Sequence, residues 1–256
     1  MPPSFETVAD IQRLAARDPA FAVARAELVE GLAIREDALV LEAGCGCLPA
    51  AEEMLERSQH TRLLGIDIEA SLLTRLEASE GSARRILRCA GDAARLPLLD
   101  HTVDVVLADK LLLHVASPLA VLAEMKRVVR PGGRLGAFEW DMVGVSVTCD
   151  VPGFNRAFAR TQAVTSISPD APYCLHEWFD RLGLEDIQVS LWPLTSKQLS
   201  ETWSRFLQAD FDAAFACGIV DKTTTDSWWA DIREKNRRGT FRAATIATVA
   251  WGRVAN

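Results

Sequence analysis

The segment Val40-Leu41-Glu42-Ala43-Gly44-Cys45-Gly46-Cys47-Leu48 places a carboxylate just before two closely spaced glycines. Glycine at that spacing lets a chain turn sharply and lets a ligand come close to the backbone. Further on, Leu63-Leu64-Gly65-Ile66-Asp67 is a second apolar run ending in a carboxylate. A carboxylate at the end of a neighbouring strand accepts both ribose hydroxyls of a nucleotide ligand. Gly91-Asp92-Ala93 supplies a third carboxylate after a further apolar run. A pyrophosphate-binding turn would continue as G-x-G-x-x-G, but Pro49 stands where its last glycine belongs.

These residues need strand ends to hold them. Ala38-Leu39-Val40-Leu41 is continuously apolar, as in a strand buried on both faces. Strand-like runs recur at 62–67, 84–89, 103–108, 134–140, 188–192 and 240–251. Helical spacing appears at 50–57, 70–79, 119–129, 154–164, 176–181, 196–215 and 225–237. Two more helices are expected in 7–33, interrupted near Asp18-Pro19, whereas 141–148 reads as a loop and 166–172 as a Ser/Pro-rich break. Strand–helix alternation at this spacing gives parallel strands joined by helical crossovers, an α/β three-layer sandwich.

The chain has 256 residues, 49% hydrophobic and 25% charged, which excludes collagen, long disorder and coiled coil. No linker or repeat marks a second domain, so a single domain over 1–256 is expected. Its net charge of −7 argues against a nucleic-acid partner. No apolar run approaches the length of a membrane span and no leader pattern opens the chain, so neither membrane insertion nor export is expected. The six cysteines, at 45, 47, 89, 149, 174 and 217, make no zinc framework, and Cys45, Cys47 and Cys89 read as buried or lining thiols. Reduced thiols suit a cytoplasmic protein. All seven Trp, the only Tyr and eight of the ten Phe lie after residue 137, and none lies between Ala22 and Ala137.

Taken in order, Val40 to Gly46, Gly65 to Asp67, Gly91 to Ala93, Val103 to Val106, Leu112 to His114 and Arg127 to Gly133 closely resemble the class I S-adenosylmethionine (SAM)-dependent methyltransferases, in the branch that includes quinone-biosynthesis and small-molecule enzymes. The resemblance covers 38–140 and continues weakly through Leu182-Gly183-Leu184 and Arg238-Gly239-Thr240-Phe241. It implies a Rossmann-like, seven-stranded, mostly parallel sheet whose last strand, 240–251, is antiparallel and enters between the fifth and sixth. The SAM-binding core would be about 34–140, with substrate caps at about 1–33, 141–172 and 195–226.

The resemblance also implies a cofactor site. Glu42 stands for the usual Asp and would take the methionine ammonium, directly or through water. Gly44 and Gly46 would admit the methionyl and ribose parts. Asp67 would hold the ribose, Asp92 the adenine amino group and the Ala93 N–H a ring nitrogen, with Ile68 and Leu111 sandwiching the base. Leu48 departs from the family's third glycine.

Methyl transfer needs chiefly alignment and exclusion of water, and a base only where the acceptor loses a proton. The candidates are His114, Glu139 and His176, with Asp141 beside them; each also suits a bland role as a cap, loop anchor or surface charge. Lys110 could pair with Asp109 or meet an acidic substrate. A metal is not expected, because Asp109 alone is no ligand set. The late aromatic residues, with Trp203/Phe206 and Phe211/Phe215 each sharing a helix face, suit an apolar pocket. The expected activity is methylation of an O, N or C atom of a small hydrophobic or aromatic metabolite, as in secondary metabolism, with S-adenosylhomocysteine as co-product. A SAM-binding cyclase and a non-catalytic accessory protein stay open as alternatives. Homodimerisation is left open too.

Overall fold

The central strands form where apolar residues run without polar interruption. The structure is a computed structural model that describes residues 5–48, 51–56, 59–74 and 80–256. In chain order the first elements are α1 (Phe5–Arg17), α2 (Pro19–Gly31), β1 (Leu39–Ala43), α3 (Ala51–Glu56), β2 (Arg62–Asp67), α4 (Ala70–Leu73), α5 (Glu80–Ala83) and β3 (Ile86–Ala90). Then come β4 (Val103–Asp109), a 3-10 turn (Leu112–His114), α6 (Pro118–Val128), β5 (Val129–Trp140) and β6 (Ser146–Val147). The rest are α7 (Phe154–Thr165), α8 (Ala171–Arg181), β7 (Leu184–Ser196), α9 (Glu201–Ala216), α10 (Lys222–Arg237) and β8 (Ala243–Val254).

The sheet order is β3-β2-β1-β4-β5-β8, with β7 and β6 both pairing to β8. β1 to β5 are mutually parallel, and β8 is antiparallel to β5, β6 and β7. The last strand therefore enters beside the fifth, in the Rossmann-like pattern expected. Parallel order puts the ends of β1, β2, β4 and β5 on one edge, where ligands bind in such sheets. Gly136 leaves room for α2, since a Cβ there would lie 2.6 Å from Leu28 Cδ1. Asp18 caps α2 by accepting from the Ala20 amide at 3.0 Å, and Pro19 opens it.

Five expectations need correction. The sheet has eight strands, not seven: the extra one is β6, inside the expected loop. β8 begins beyond the end of β5, and Ser146 and Val147 pair with that overhang at Ala244 and Ala243. β7 is far longer than 188–192, because an edge strand facing solvent loses its apolar signal while keeping its ladder to β8. α8 starts at Ala171, with Pro172 in its first turn where proline is tolerated. Cys89 is exposed, because β3 is the opposite edge strand and only Ile86 of it is buried. The helix expected over 70–79 is a single turn to Leu73, and 75–79, like Pro49, lie outside the described residues.

Candidate active site

The turn after β1 is built on left-handed backbone. Gly44 has φ +64° and Gly46 φ +53°, and Leu48 adopts φ +52°. The Gly44 amide donates to the Ile66 carbonyl at 2.8 Å, and the Gly46 amide to Asp67 Oδ2 at 2.7 Å. Asp67 Oδ1 accepts from the Glu69 amide at 2.8 Å. Asp67 is thus clamped at the end of β2, only 8% exposed, with spare lone pairs on both oxygens. A Cβ on Gly44 would collide with the Leu111 side chain, and one on Gly46 with the Gln12 amide. Gln12 of α1 also accepts from the Cys47 amide at 3.2 Å, so α1 crosses the turn. Leu48 points elsewhere: it is 2% exposed, with Cδ1 2.6 Å from where a Gly65 Cβ would stand. Its side chain fills the space above Gly65.

Beyond the turn, Ile68 is 76% exposed, unusual for an isoleucine beside a buried carboxylate. Asp92 is exposed and caps the next turn through the Ala94 amide at 2.8 Å, while Ala93 is buried.

A charged cluster lies at the ends of β1 and β4. Glu42 is buried and its Oε2 has no partner among the described residues. Burial first, then Asp109, pushes its pKa up to about 8. Asp109 is also sealed, and burial raises it, but Lys110 and then Arg25 outweigh that and hold it below its ordinary value. Arg25 of α2 donates from Nε to Asp109 Oδ2 at 3.1 Å, and Lys110 donates to Asp109 Oδ1. Lys110 also sits over the Phe138 ring, 5.2 Å from its centroid. Sequence reading missed Arg25; a lone arginine in a helix carries no local sign of burial.

At the end of β5, Glu139 is 0% exposed and its Oε1 accepts from the Leu112 amide at 2.6 Å. Burial lifts its pKa to about 8, despite the opposing Leu112 bond, and Oε2 lacks a partner among the described residues. Glu139 therefore anchors the 3-10 turn that carries His114. His114 is itself solvent-exposed, yet the protein packed around it, and then the Lys110 charge, lower its imidazole pKa. His176 is exposed on α8 and makes no hydrogen bond to these groups among the described residues. A residue not anticipated, Tyr173, donates to Asp141 Oδ2 at 2.5 Å, and its pKa is raised to about 12 by burial and then by Asp141. That pair spans a loop and a helix start, beyond the reach of spacing arguments.

Rings continue from this edge into α7 and α9. Phe21 meets Trp140 at 5.2 Å, Trp140 meets Phe206 at 4.8 Å, and Phe206 meets both Phe158 and Trp203 at 5.9 Å. Trp203 and Phe206 share a buried face as expected. Phe215, however, is 55% exposed while Phe211 is 2% exposed, so these two do not share a buried face. Among the described residues no group of three or more His, Cys, Asp or Glu is placed to hold a metal ion. No described helix is long and apolar enough to cross a membrane.

Residues 41–137 match the family model described as a methyltransferase domain. The demethylmenaquinone methyltransferase of Mycolicibacterium paratuberculosis is 38% identical over 112 residues, covering 41% of this chain and 49% of that enzyme. An uncharacterized 37.1 kDa protein in transposon TN4556 of Streptomyces fradiae is 31% identical over 163 residues, covering 62% of this chain and 46% of that protein. The chain thus spans about half the length of these curated relatives. The solved structure of the YcgJ protein from Bacillus subtilis shares the fold, with a TM-score of 0.62 at 13% identity over 92% of this chain and 99% of that one. Residues 41–137 are thus similar in sequence to methyltransferase domains, those of quinone-biosynthesis enzymes among them, and the fold is shared with the YcgJ protein.

Proposed function

We propose that this protein transfers a methyl group from SAM to an O, N or C atom of a small hydrophobic or aromatic metabolite, as a single domain whose SAM-binding core is about 34–140. The observation that carries the reading is the clamped Asp67 beside the left-handed Gly44–Gly46 turn, with Glu42 orphaned at its foot. The residues fit SAM: Glu42 Oε2 is a buried acceptor without a partner among the described residues, and the side chains nearest the bare backbone at Gly44 and Gly46 are the flexible ones of Leu111 and Gln12. In this reading Asp67 takes the ribose hydroxyls, Asp92 and the Ala93 N–H take the adenine edge, and Ile68 and Leu111 flank the base. Leu48 does not crowd the cofactor, because it packs on Gly65.

SAM supplies an activated methyl on a sulfonium whose departure leaves a neutral thioether. The chain's own work is alignment and exclusion of water. His114, with its lowered pKa, is neutral at pH 7 and suits accepting a proton from a hydroxyl or amine acceptor. Glu139 acts as a positioning residue, holding the Leu112–His114 turn through the Leu112 amide. His176, exposed on the same helix as Tyr173, is the second candidate to take a proton from the acceptor. The Phe21–Trp140–Phe206 wall gives the acceptor an apolar, aromatic surface that also keeps water from the sulfonium.

Calorimetric titration with SAM tests the cofactor half: binding in the micromolar range supports it, and no heat at millimolar ligand overturns it. SAM binding without S-adenosylhomocysteine release, for every acceptor offered, would favour the non-methylating alternatives.

A further inference from the structure

Helices α7 and α9 bury one polar pair among their rings. Asp210 of α9 is 7% exposed and Gln162 of α7 is 2% exposed. The Gln162 amide donates to Asp210 Oδ1, and Asp210 Oδ2 has no partner among the described residues. A buried oxygen left without a partner is destabilising. Burial pushes the Asp210 carboxyl well above its ordinary value, against the opposing Gln162 bond, which favours its protonated form. A protonated carboxyl has one donor and keeps acceptor capacity. Because Oδ1 already accepts from Gln162, the proton belongs on Oδ2, the oxygen left free.

The surroundings repeat that polarity. Phe211, the next residue, meets the indoles of Trp228 and Trp229 on α10 at 5.5 and 5.1 Å. Both indole N–H groups are buried and lack partners among the described residues. An indole N–H donates and cannot accept. These three unpartnered groups are therefore donors, on helices whose rings Phe154, Phe158, Phe206 and Phe211 pack together. Such a lining complements an apolar molecule that carries acceptor oxygens, and it is mismatched to an ammonium. Position ties the pair to the strand edge. Asp210 and Gln162 each lie one helical turn beyond an aromatic residue, Phe206 and Phe158. Those rings meet at 5.9 Å, and Phe206 meets Trp140, the last residue of β5, at 4.8 Å. α9 also rests on α1, where the Thr202 hydroxyl donates to the Leu14 carbonyl at 3.3 Å, and α1 crosses the glycine turn through Gln12.

We propose that Asp210, oriented by Gln162, is a specificity residue for the methyl acceptor, donating from Oδ2 to a carbonyl oxygen of a hydrophobic ring compound seated behind the Trp140–Phe206 contact. The assignment rests on the methyl-transfer reading above and narrows its acceptor to carbonyl-bearing molecules. Gln162 is a positioning residue: its amide fixes which Asp210 oxygen stays free. Asp210 takes no proton from the acceptor and adds no charge to the pocket. It selects by leaving its own donor unpaired when a ligand without an oxygen enters.

The test uses three probes on one ring frame: 1-tetralone with a carbonyl, tetralin with none and 1-aminotetralin with an ammonium. Each is titrated into the wild type, Asp210→Asn and Asp210→Leu by tryptophan fluorescence, with circular dichroism and thermal melting to verify folding. SAM is titrated calorimetrically into the same proteins. Asparagine keeps a donor where the carboxyl had one, and leucine does not. Measured against tetralin, the ketone is expected to lose at least fivefold of its affinity in Asp210→Leu and less than twofold in Asp210→Asn, while SAM affinity stays within twofold throughout. An unchanged ketone-to-hydrocarbon ratio in Asp210→Leu, or a wild type that binds no ketone, would overturn the assignment. So would a preference for the amine that Asp210→Asn abolishes, the mark of an ionised carboxylate. If Asp210→Leu does not fold, infrared difference spectra decide: the ketone must shift a protonated-carboxyl band that Asp210→Asn lacks, and an unmoved band overturns the proposal. SAM that fails to bind any of these proteins would overturn the methyl-transfer reading instead, and would leave the ketone ratio to be judged by itself.

Discussion

Leu48 stands where related domains carry a glycine, and two opposing effects decide what restoring that glycine would do. Leu48→Gly relieves a left-handed residue (φ +52°), a gain of about 1–2 kcal/mol. The added freedom of glycine in the unfolded chain takes back about 0.5–1 kcal/mol. Against this, the substitution empties a site 2% exposed, and removing a buried leucine costs about 2–5 kcal/mol. Packing wins: the variant should lose roughly 2–4 kcal/mol. Gly65→Ala should be destabilising for the converse reason, at about 1–3 kcal/mol, because its methyl would lie 2.6 Å from Leu48 Cδ1 and 2.8 Å from Cys45 Sγ. In the double variant the new methyl occupies space that Leu48 vacated. The two costs should then fall short of their sum by about 1 kcal/mol or more, with Cys45 limiting the rescue. Urea unfolding of the four proteins measures this cycle. A Leu48→Gly variant as stable as the wild type, or an identical Gly65→Ala cost in both backgrounds, would refute the packing role.

Three further outcomes are expected. Asp67→Asn should keep the fold but weaken SAM binding at least tenfold, since hydrogen bonds to a charged group contribute about 1.5–3 kcal/mol; calorimetry with unchanged affinity would count against the ribose assignment. Glu139 has a folded pKa near 8, above its ordinary value, so its contribution is fully present below about pH 4.5 and is lost as pH rises toward 8. Glu139→Gln should therefore flatten the fall of stability between pH 5 and 8, by up to about 1.4 kcal/mol per pH unit, and parallel curves for the two proteins would sink the idea. Asp104 has the opposite sign. Burial raises its pKa, but the Leu39 amide at 2.9 Å, Arg130 and Arg35 outweigh it, so its stabilisation exists above its ordinary pKa and fades as pH falls. Asp104→Asn should cost about 1–2 kcal/mol at pH 7, discounted because both arginines are largely exposed, and progressively less as pH falls below the ordinary carboxylate range; a cost independent of pH would exclude the ionic origin.

The parallel half of the fold was legible because buried parallel strands are apolar without interruption, as at Val103–Ala108, and because each strand end bears its motif. The edges were less legible. β7 alternates with exposed positions through Gln188, Val189 and Leu191, so its length is set by pairing to β8 and not by local composition. β6 exists only because β8 overshoots β5. The turn after β1 was readable because its residue types are dictated by backbone geometry, as at Gly44 and Gly46. The charge cluster was not. Arg25 and Asp109 are 84 residues apart, and no local spacing pattern announces their buried ion pair. Helical spacing put Trp203 and Phe206 on one face, and both are buried, but it could not tell that Phe215, four residues after the buried Phe211, is exposed.

The central claim is methyl transfer from SAM to a small apolar acceptor. The most direct measurement incubates the protein with methyl-deuterated SAM and a fractionated metabolite extract, and follows the products by mass spectrometry. The account predicts at least one hydrophobic product heavier by the labelled methyl, formed in step with S-adenosylhomocysteine and lost in the Asp67→Asn variant. Tight SAM binding with no labelled product in any fraction would contradict it.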